Sequence, residues 1–262
     1  MLAETPSYAV VYKPACMHTV PLCGDRRNRY GRDGAAAEKP RTLLDWYAAL
    51  FPDVRAVRGR QAWEYGVLHR LDFATRGLVF IAKTQYACDA LMREQEQGLF
   101  VKTYRAESAG HAGGGAAVGF PPCPYSGIAT GGVIESAFRA FGPGRASVRP
   151  VLTPFPKNKD IALDHGAYYK TEIIEKIEKI GKAEDKENAV VFRIHLARGF
   201  RHQIRCHLAW LGYPLLNDSL YGGVITDAHR HPAPIGLCAI GLQFIDPAEK
   251  APVSYTLDTG AV

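Results

Sequence analysis

The stretch His69-Arg70-Leu71-Asp72-Phe73-Ala74-Thr75-Arg76-Gly77-Leu78 sets several ionisable residues between two apolar runs. Val67-Leu68 precedes it and Leu78-Val79-Phe80-Ile81-Ala82 follows. The second run is short, apolar and opened by a glycine, which predicts a buried strand. Asp72 is therefore expected on a tight connection at the mouth of a sheet. Aspartate forms turns because its carboxylate can bond the backbone two residues on. That accounts for Asp72 alone. It does not account for Arg70, Thr75 and Arg76 crowding the same turn.

The rest of the chain reads as short elements separated by breakers. Tyr8–Tyr12 predicts a strand that Lys13-Pro14 ends, because proline stops sheet pairing. Thr42 precedes a helical run over 43–51, with apolar positions 43, 46, 47 and 50 in period and Pro52 at its close. A second helix is expected over 85–97, with Ala87, Ala90 and Leu91 on one face and Gly98 as its C-terminal cap. Phe100–Ala106 and Val190–Leu196 alternate as strands do; Val133–Phe141 reads as a further strand and Leu237–Ile245 as the last. Ile204, Leu208 and Leu211 share a helical face, which Gly212 ends and Pro214 stops. Residues 168–180 are ambiguous: Ile173, Ile174, Ile177 and Ile180 have helical spacing, while Tyr168–Thr171 opens the segment as a strand would. Stretches 21–41 and 108–132 read as loops, the latter with little core; 150–159 is rich in breakers, and the charged run 181–188 reads as a turn.

A chain of 262 residues fits one large domain or two small ones. Its formal net charge of +6 suits a polyanionic partner, because Lys and Arg release counterions from phosphates. Arg26, Arg27, Arg29, Arg32 and Arg41 are candidates for such contacts, against the equal alternative of a solvated loop. The six cysteines form no Cys-x-x-Cys pair, which argues against a zinc knuckle. The first residues carry neither a basic leader nor an apolar core, and no apolar run approaches the ~20 residues of a membrane span. A cytoplasmic monomer without membrane or metal partners is the expectation.

The motif His-Arg-Leu-Asp-x-x-Thr-x-Gly-Leu resembles the catalytic motif of the RluA-type pseudouridine synthases, which isomerise uridine within RNA. Further stretches carry the same resemblance. Val11-x-Lys13-Pro14-Ala15-x-Met17-His18 resembles the family's opening strand, with Cys16 where glycine is common. Lys102-x-Tyr104 resembles the second motif, and Gly199-x-x-His202-Gln203-Ile204-Arg205-x-His207-Leu208 the third. Leu211-Gly212-Tyr213-Pro214 through Leu220-Tyr221-Gly222-Gly223 resembles a later signature. Two departures stand near the motifs: Arg76 replaces the usual Ser, and Phe200-Arg201 replaces Arg-Thr.

The resemblance implies an α+β catalytic domain over 1–262, built on a mixed, largely antiparallel central sheet flanked by helices and loops. It implies insertions at about 21–41 and 108–132, no S4-like domain, and a strand over 168–180. It implies Asp72, Tyr104 and Arg205 as catalytic residues. Arg205 is expected to pair with Asp72 and hold it ionised, and Tyr104 to lie against the uracil or accept a proton. Arg70 is expected to fill the space that a flipped base leaves, with a structural ion pair as its plainer alternative. His69, Thr75, Arg76, Lys102, Arg201, His202, Gln203 and Ile204 complete the expected substrate contacts. His69, His202 and His207 lack a fourth ligand nearby, so no metal is expected. The isomerisation is redox-neutral and needs no cofactor. The implied partner is ribosomal or transfer RNA.

Two other functions compete. Arg76, Phe200 and Arg201 give some standing to an inactive RNA-binding homologue, against which Asp72, Tyr104 and Arg205 are intact. A nucleoside-bond hydrolase would need a second carboxylate. None stands near the motifs, and Asp218 reads as structural.

Overall fold

Apolar runs too short for helices pair as strands, and breakers place the turns between them. The computed structural model describes residues 1–22, 42–111, 119–125, 127–152, 164, 167–179, 189–226 and 233–258. The arginines expected to meet phosphate at 26–41, and the charged turn at 181–188, lie outside the described residues. The chain divides into two compact units, Met1–Phe100 with Gly241–Val262, and Val101–Ile240.

In the first unit, β1 (Ala3–Glu4) pairs antiparallel with β2 (Tyr8–Lys13), and β2 pairs antiparallel with β3 (Arg76–Ala82). The register runs from Tyr8 opposite Ala82 to Lys13 opposite Gly77. Every residue of β3 after Arg76 is buried, which is why this run is continuously apolar rather than alternating. Helix α1 (Leu43–Leu50) begins where Thr42 Oγ1 accepts from Asp45 N at 3.0 Å. Helix α2 (Gln85–Gln97) begins on Thr84, whose Oγ1 accepts from Ala87 N, and ends on Gly98 at φ +77°. Tyr8, Leu78, Phe80, Leu91, Phe100 and Phe244 pack together as this unit's core.

The second unit is a fully antiparallel set, β4 (Val101–Ser108), β8 (Ala189–Leu196), β7 (Tyr169–Lys179), β5 (Val133–Phe141) and β6 (Ser147–Val151), in that spatial order. Helix α3 (Gln203–Trp210) is buried along its whole length. Gly212, at φ +84°, ends the run. Strand β9 (Leu237–Ile245) starts in this unit and finishes in the first, where it pairs antiparallel with β10 (Pro252–Thr256). The chain is α+β, with few helices beside its sheet strands.

The structure bears out the strand expected at 168–180 and differs from the sequence reading in two places. The ambiguous segment 168–180 is strand β7, which pairs with β8 on one side and β5 on the other. A register shift between Ile173 and Glu175 leaves Ile174 and Ile177 exposed, so the helical spacing serves no buried face. Strands β6 and β10 were not expected. Pro150 sits in β6, which ends the second unit's strand order and so spares proline a ladder bond on one side. Strand β10 begins with Pro252 and is half exposed, without the apolar run that marks a buried strand. The segment 108–132 was expected to have little core. In fact Ile128 is buried, Phe120 packs against a core cluster, and Trp210 Nε1 donates to Pro121 O at 2.8 Å.

A buried polar network locks α3 to the strands. Phe200 N donates to Gln203 Oε1 at 2.9 Å, which turns Gln203 Nε2 toward Lys170 O and Thr171 Oγ1. Thr171, accepting from Gln203, has its own proton for His207 Nδ1 at 2.8 Å. The His207 Nε2–H then donates to Ser136 Oγ at 2.9 Å. This assignment needs a neutral imidazole. Complete burial pushes the His207 pKa down to about 3. Below about 6.5 an unfolded histidine takes up a proton that the fold refuses. The stability His207 contributes is therefore complete above that pH and declines as pH falls toward 3. His207→Phe should cost about 1–3 kcal/mol for each orphaned hydroxyl at pH 7.5. The gap between wild type and variant should narrow at pH 5, as urea unfolding at the two pH values will show.

Candidate functional site

The Asp72 turn is fixed from three sides within the first unit. Asp72 O accepts from Thr75 N at 3.1 Å, closing the turn. Thr19 Oγ1 bonds both the N and the O of Leu71, each at 3.0 Å. Lys13, wholly buried, donates from Nζ to Pro14 O at 2.9 Å and Met17 O at 2.6 Å, with a longer contact to Phe73 O at 3.4 Å. Burial lowers the Lys13 pKa to about 8, and the carboxylate of Asp72 opposes that shift. Gly77 leaves the turn at φ +123°, a conformation that side chains other than glycine rarely adopt. Cys16, where the resembling family commonly has glycine, is held at φ +61°.

The neighbours of Asp72 divide by what they bind. His69 Nε2 accepts from Phe80 N at 3.2 Å. Arg70 pairs with Glu64 at 3.2 Å while its side chain stays 59% exposed. Thr75 is buried, and its Oγ1 has no hydrogen-bond partner among the described residues. The same is true of the Nε of Arg76, which is half-buried. Phe73, beside the carboxylate in sequence, is exposed and lies against the ring of His18.

The second unit gathers the other expected residues. On β4, Tyr104 stands opposite Ile194 and Lys102 opposite Leu196, both with buried side chains. Lys102 Nζ donates to Ala197 O at 3.0 Å. Arg205 presents Nε and Nη2 to Asp218, at 2.7 and 2.9 Å to the two carboxylate oxygens, and both residues are buried. Two parallel bonds to one carboxylate fix the guanidinium plane. The ring of Tyr221 lies 5.2 Å from that guanidinium. The carboxylate that grips this edge of Arg205 is thus Asp218, which reads as structural in the sequence.

The remaining third-motif residues serve the unit's interior. Gln203 uses its amide within the network above, and Ile204 is buried. His202, at φ +57°, shares a bond with Tyr221 through Nδ1 at 3.2 Å. Arg201 is exposed and donates to Arg145 O at 2.8 Å and Ser147 O at 3.4 Å. Phe200 stacks flat on Phe138, 4.9 Å between centroids.

Each unit therefore assembles one group of the expected residues: His69, Arg70, Asp72, Thr75 and Arg76 in the first; Lys102, Tyr104, Arg201, His202, Gln203, Ile204 and Arg205 in the second. Lys13 and Asp218 were missed as site residues. A charged residue ending an apolar strand, and an Asp in the signature after α3, were their sequence signals. Among the described residues, no group of three or more His, Cys, Asp or Glu is placed to hold a metal ion. No helix among them is long and apolar enough to cross a membrane.

A family model described as RNA pseudouridylate synthase matches residues 7–210. The ribosomal large subunit pseudouridine synthase D of Haemophilus influenzae is 30% identical over 159 residues, covering 60% of this chain and 38% of that protein. The protein of the same name from Pasteurella multocida is 30% identical over 195 residues, covering 74% and 46%. The chain thus spans less than half the length of these relatives. The solved structure of human RNA pseudouridylate synthase domain containing 1 has the same fold. It superposes with a TM-score of 0.61 at 18% identity, covering 100% of this chain and 83% of that one.

The Arg205–Asp218 pair predicts a stability effect. Asp218→Asn keeps the shape but strands a buried guanidinium, and should cost roughly 3–5 kcal/mol in urea unfolding. Replacing both partners, Arg205→Met with Asp218→Leu, should recover part of that loss, because no charge is then left uncompensated.

Proposed function

From a chain that belongs to the RNA pseudouridylate synthase family, we infer an enzyme that isomerises specific uridines to pseudouridine in ribosomal or transfer RNA. The bond from uracil N1 to ribose C1′ breaks, and uracil rejoins the ribose through C5. The C5 proton leaves and N1 ends protonated, so atoms and electrons balance without a redox partner. The observation that carries the reading is the Asp72 turn. Its backbone is pinned by Thr19, Lys13 and Thr75, so the carboxylate stands on a rigid connection.

In this reading Asp72 is the nucleophile, which divides one difficult displacement into two easier ones. Tyr104 lies against the target base. Arg205, its guanidinium plane set by two bonds to Asp218, is the third catalytic residue. The uridine must leave its stack to be reached, and Arg70 exchanges its exposed pair with Glu64 for the vacated space. Arg76 and His69 complete the substrate contacts from the first unit, and Lys102, Arg201 and His202 those from the second. The relatives' names support ribosomal RNA as the first substrate to test. Of Arg76, Phe200 and Arg201, which gave the inactive homologue its standing, Phe200 is accounted for by stacking on Phe138.

Asp72→Asn should abolish pseudouridine formation while RNA affinity stays near that of wild type. Pseudouridine mapping in ribosomal and transfer RNA, from cells with and without the gene, supplies the substrate for the assay. A variant that still converts that uridine at a comparable rate overturns the assignment. Free uracil as the product would identify a hydrolase instead.

A further inference from the structure

We propose that Phe73 and His18 form a stacking subsite for the base of a nucleotide flanking the target uridine. The inference rests on the reading of the Asp72 turn as the site of uridine isomerisation. Phe73 follows Asp72 directly and is 37% exposed, an aromatic face beside the group that must meet a nucleoside. Its ring centroid lies 4.8 Å from that of His18, at 44°. Together they offer two adjoining ring systems rather than one isolated phenyl group.

Both rings stand on fixed backbone. The Phe73 carbonyl faces Lys13 Nζ, and the turn around it is closed by the bond from Thr75 N to Asp72 O. His18 is bridged to Thr42, and its carbonyl accepts from Leu43 N at 2.9 Å, the first residue of α1. A surface fixed before binding loses little conformational entropy when a base settles on it. Burial and the nearby charge of Lys13 hold the His18 pKa below its ordinary value, so the imidazole stays neutral where RNA is handled. A neutral ring pair has no charge to attract phosphate; it recognises the π-face of a base. Single-stranded RNA offers such faces once its bases are splayed, and aromatic side chains are the usual partners.

The test is a cycle between Phe73 and the flanking base. The probe is an 11-nucleotide single-stranded RNA with one central uridine, compared with versions carrying an abasic ribose on its 5′ or 3′ side. Affinity is read by fluorescence anisotropy. The wild-type protein should bind the base-bearing RNA roughly 5- to 150-fold more tightly than one of the abasic versions. Phe73→Leu, which keeps apolar bulk at an exposed position, should lose that ratio and leave abasic binding unchanged. Phe73→Trp should retain it. Equal weakening of base-bearing and abasic RNA by Phe73→Leu, or no discrimination by wild type, overturns the subsite. Pseudouridine formation by the same wild-type preparation in unmodified total RNA separates that failure from a failure of the underlying reading.

Discussion

A lysine with no exposed surface holds the Asp72 turn in place. Lys13 ends β2 opposite Gly77, and its ammonium reaches carbonyls of Pro14, Met17 and Phe73. A buried ammonium is costly unless its protons are matched. Here carbonyls of the segment after β2 match them, with Phe73 O on the far side of the turn. Burial, opposed by the carboxylate of Asp72, leaves the Lys13 pKa lowered. The arrangement makes two stretches sixty residues apart depend on one side chain. Lys13 is therefore the physical link between the opening strand and the motif turn, and Thr19 adds a second through Leu71.

The second unit solves a similar problem with a carboxylate. Its buried cation, Arg205, is held side-on by Asp218 and backed by Tyr221, so the guanidinium plane is set before anything binds. The turn carrying Asp218 is itself closed by Tyr221 N and Gly223 N, both donating to Asp218 O. Beside it, the network from Gln203 through Thr171 and His207 to Ser136 satisfies polar atoms in sequence. These interactions decide where α3 sits, and hence where Arg205 stands, without any group that must face solvent.

What could be read from the sequence follows the range of the forces involved. Thr42 and Gly98 act within a turn of their own helix, so their capping roles were legible and the structure has them. The strand at 78–82 was legible because burial on both faces writes itself as an apolar run. Strand β7 was not legible from periodicity. Its pattern is broken by a register shift that only pairing with β8 reveals, and the family resemblance decided it. Strands β6 and β10 take their stability from neighbours rather than from their own composition. Residue types in the motifs named Asp72, Tyr104 and Arg205 as candidates, but motif spacing says nothing of second partners. Asp218 and Lys13 act through contacts made by folding, so neither bond could be counted in advance.

The departures from the resembling family's motifs are not equivalent once their surroundings are known. Phe200 spreads its ring on Phe138, and Arg201 caps carbonyls of Arg145 and Ser147. Each therefore takes up contacts within the second unit, Phe200 through its ring and Arg201 through part of a guanidinium that stays exposed. Arg76 differs. It opens β3 at the end of the Asp72 turn, and its Nε is buried without a hydrogen-bond partner among the described residues. A serine at that place would bring no charge, and arginine brings a guanidinium with five donors. Thr75 beside it has an equally unmatched hydroxyl. Unsatisfied buried donors cost stability, and proteins retain them where something else is gained. Among the described residues these unmatched donors fall on the motif turn, at Thr75 and Arg76, rather than in the third motif.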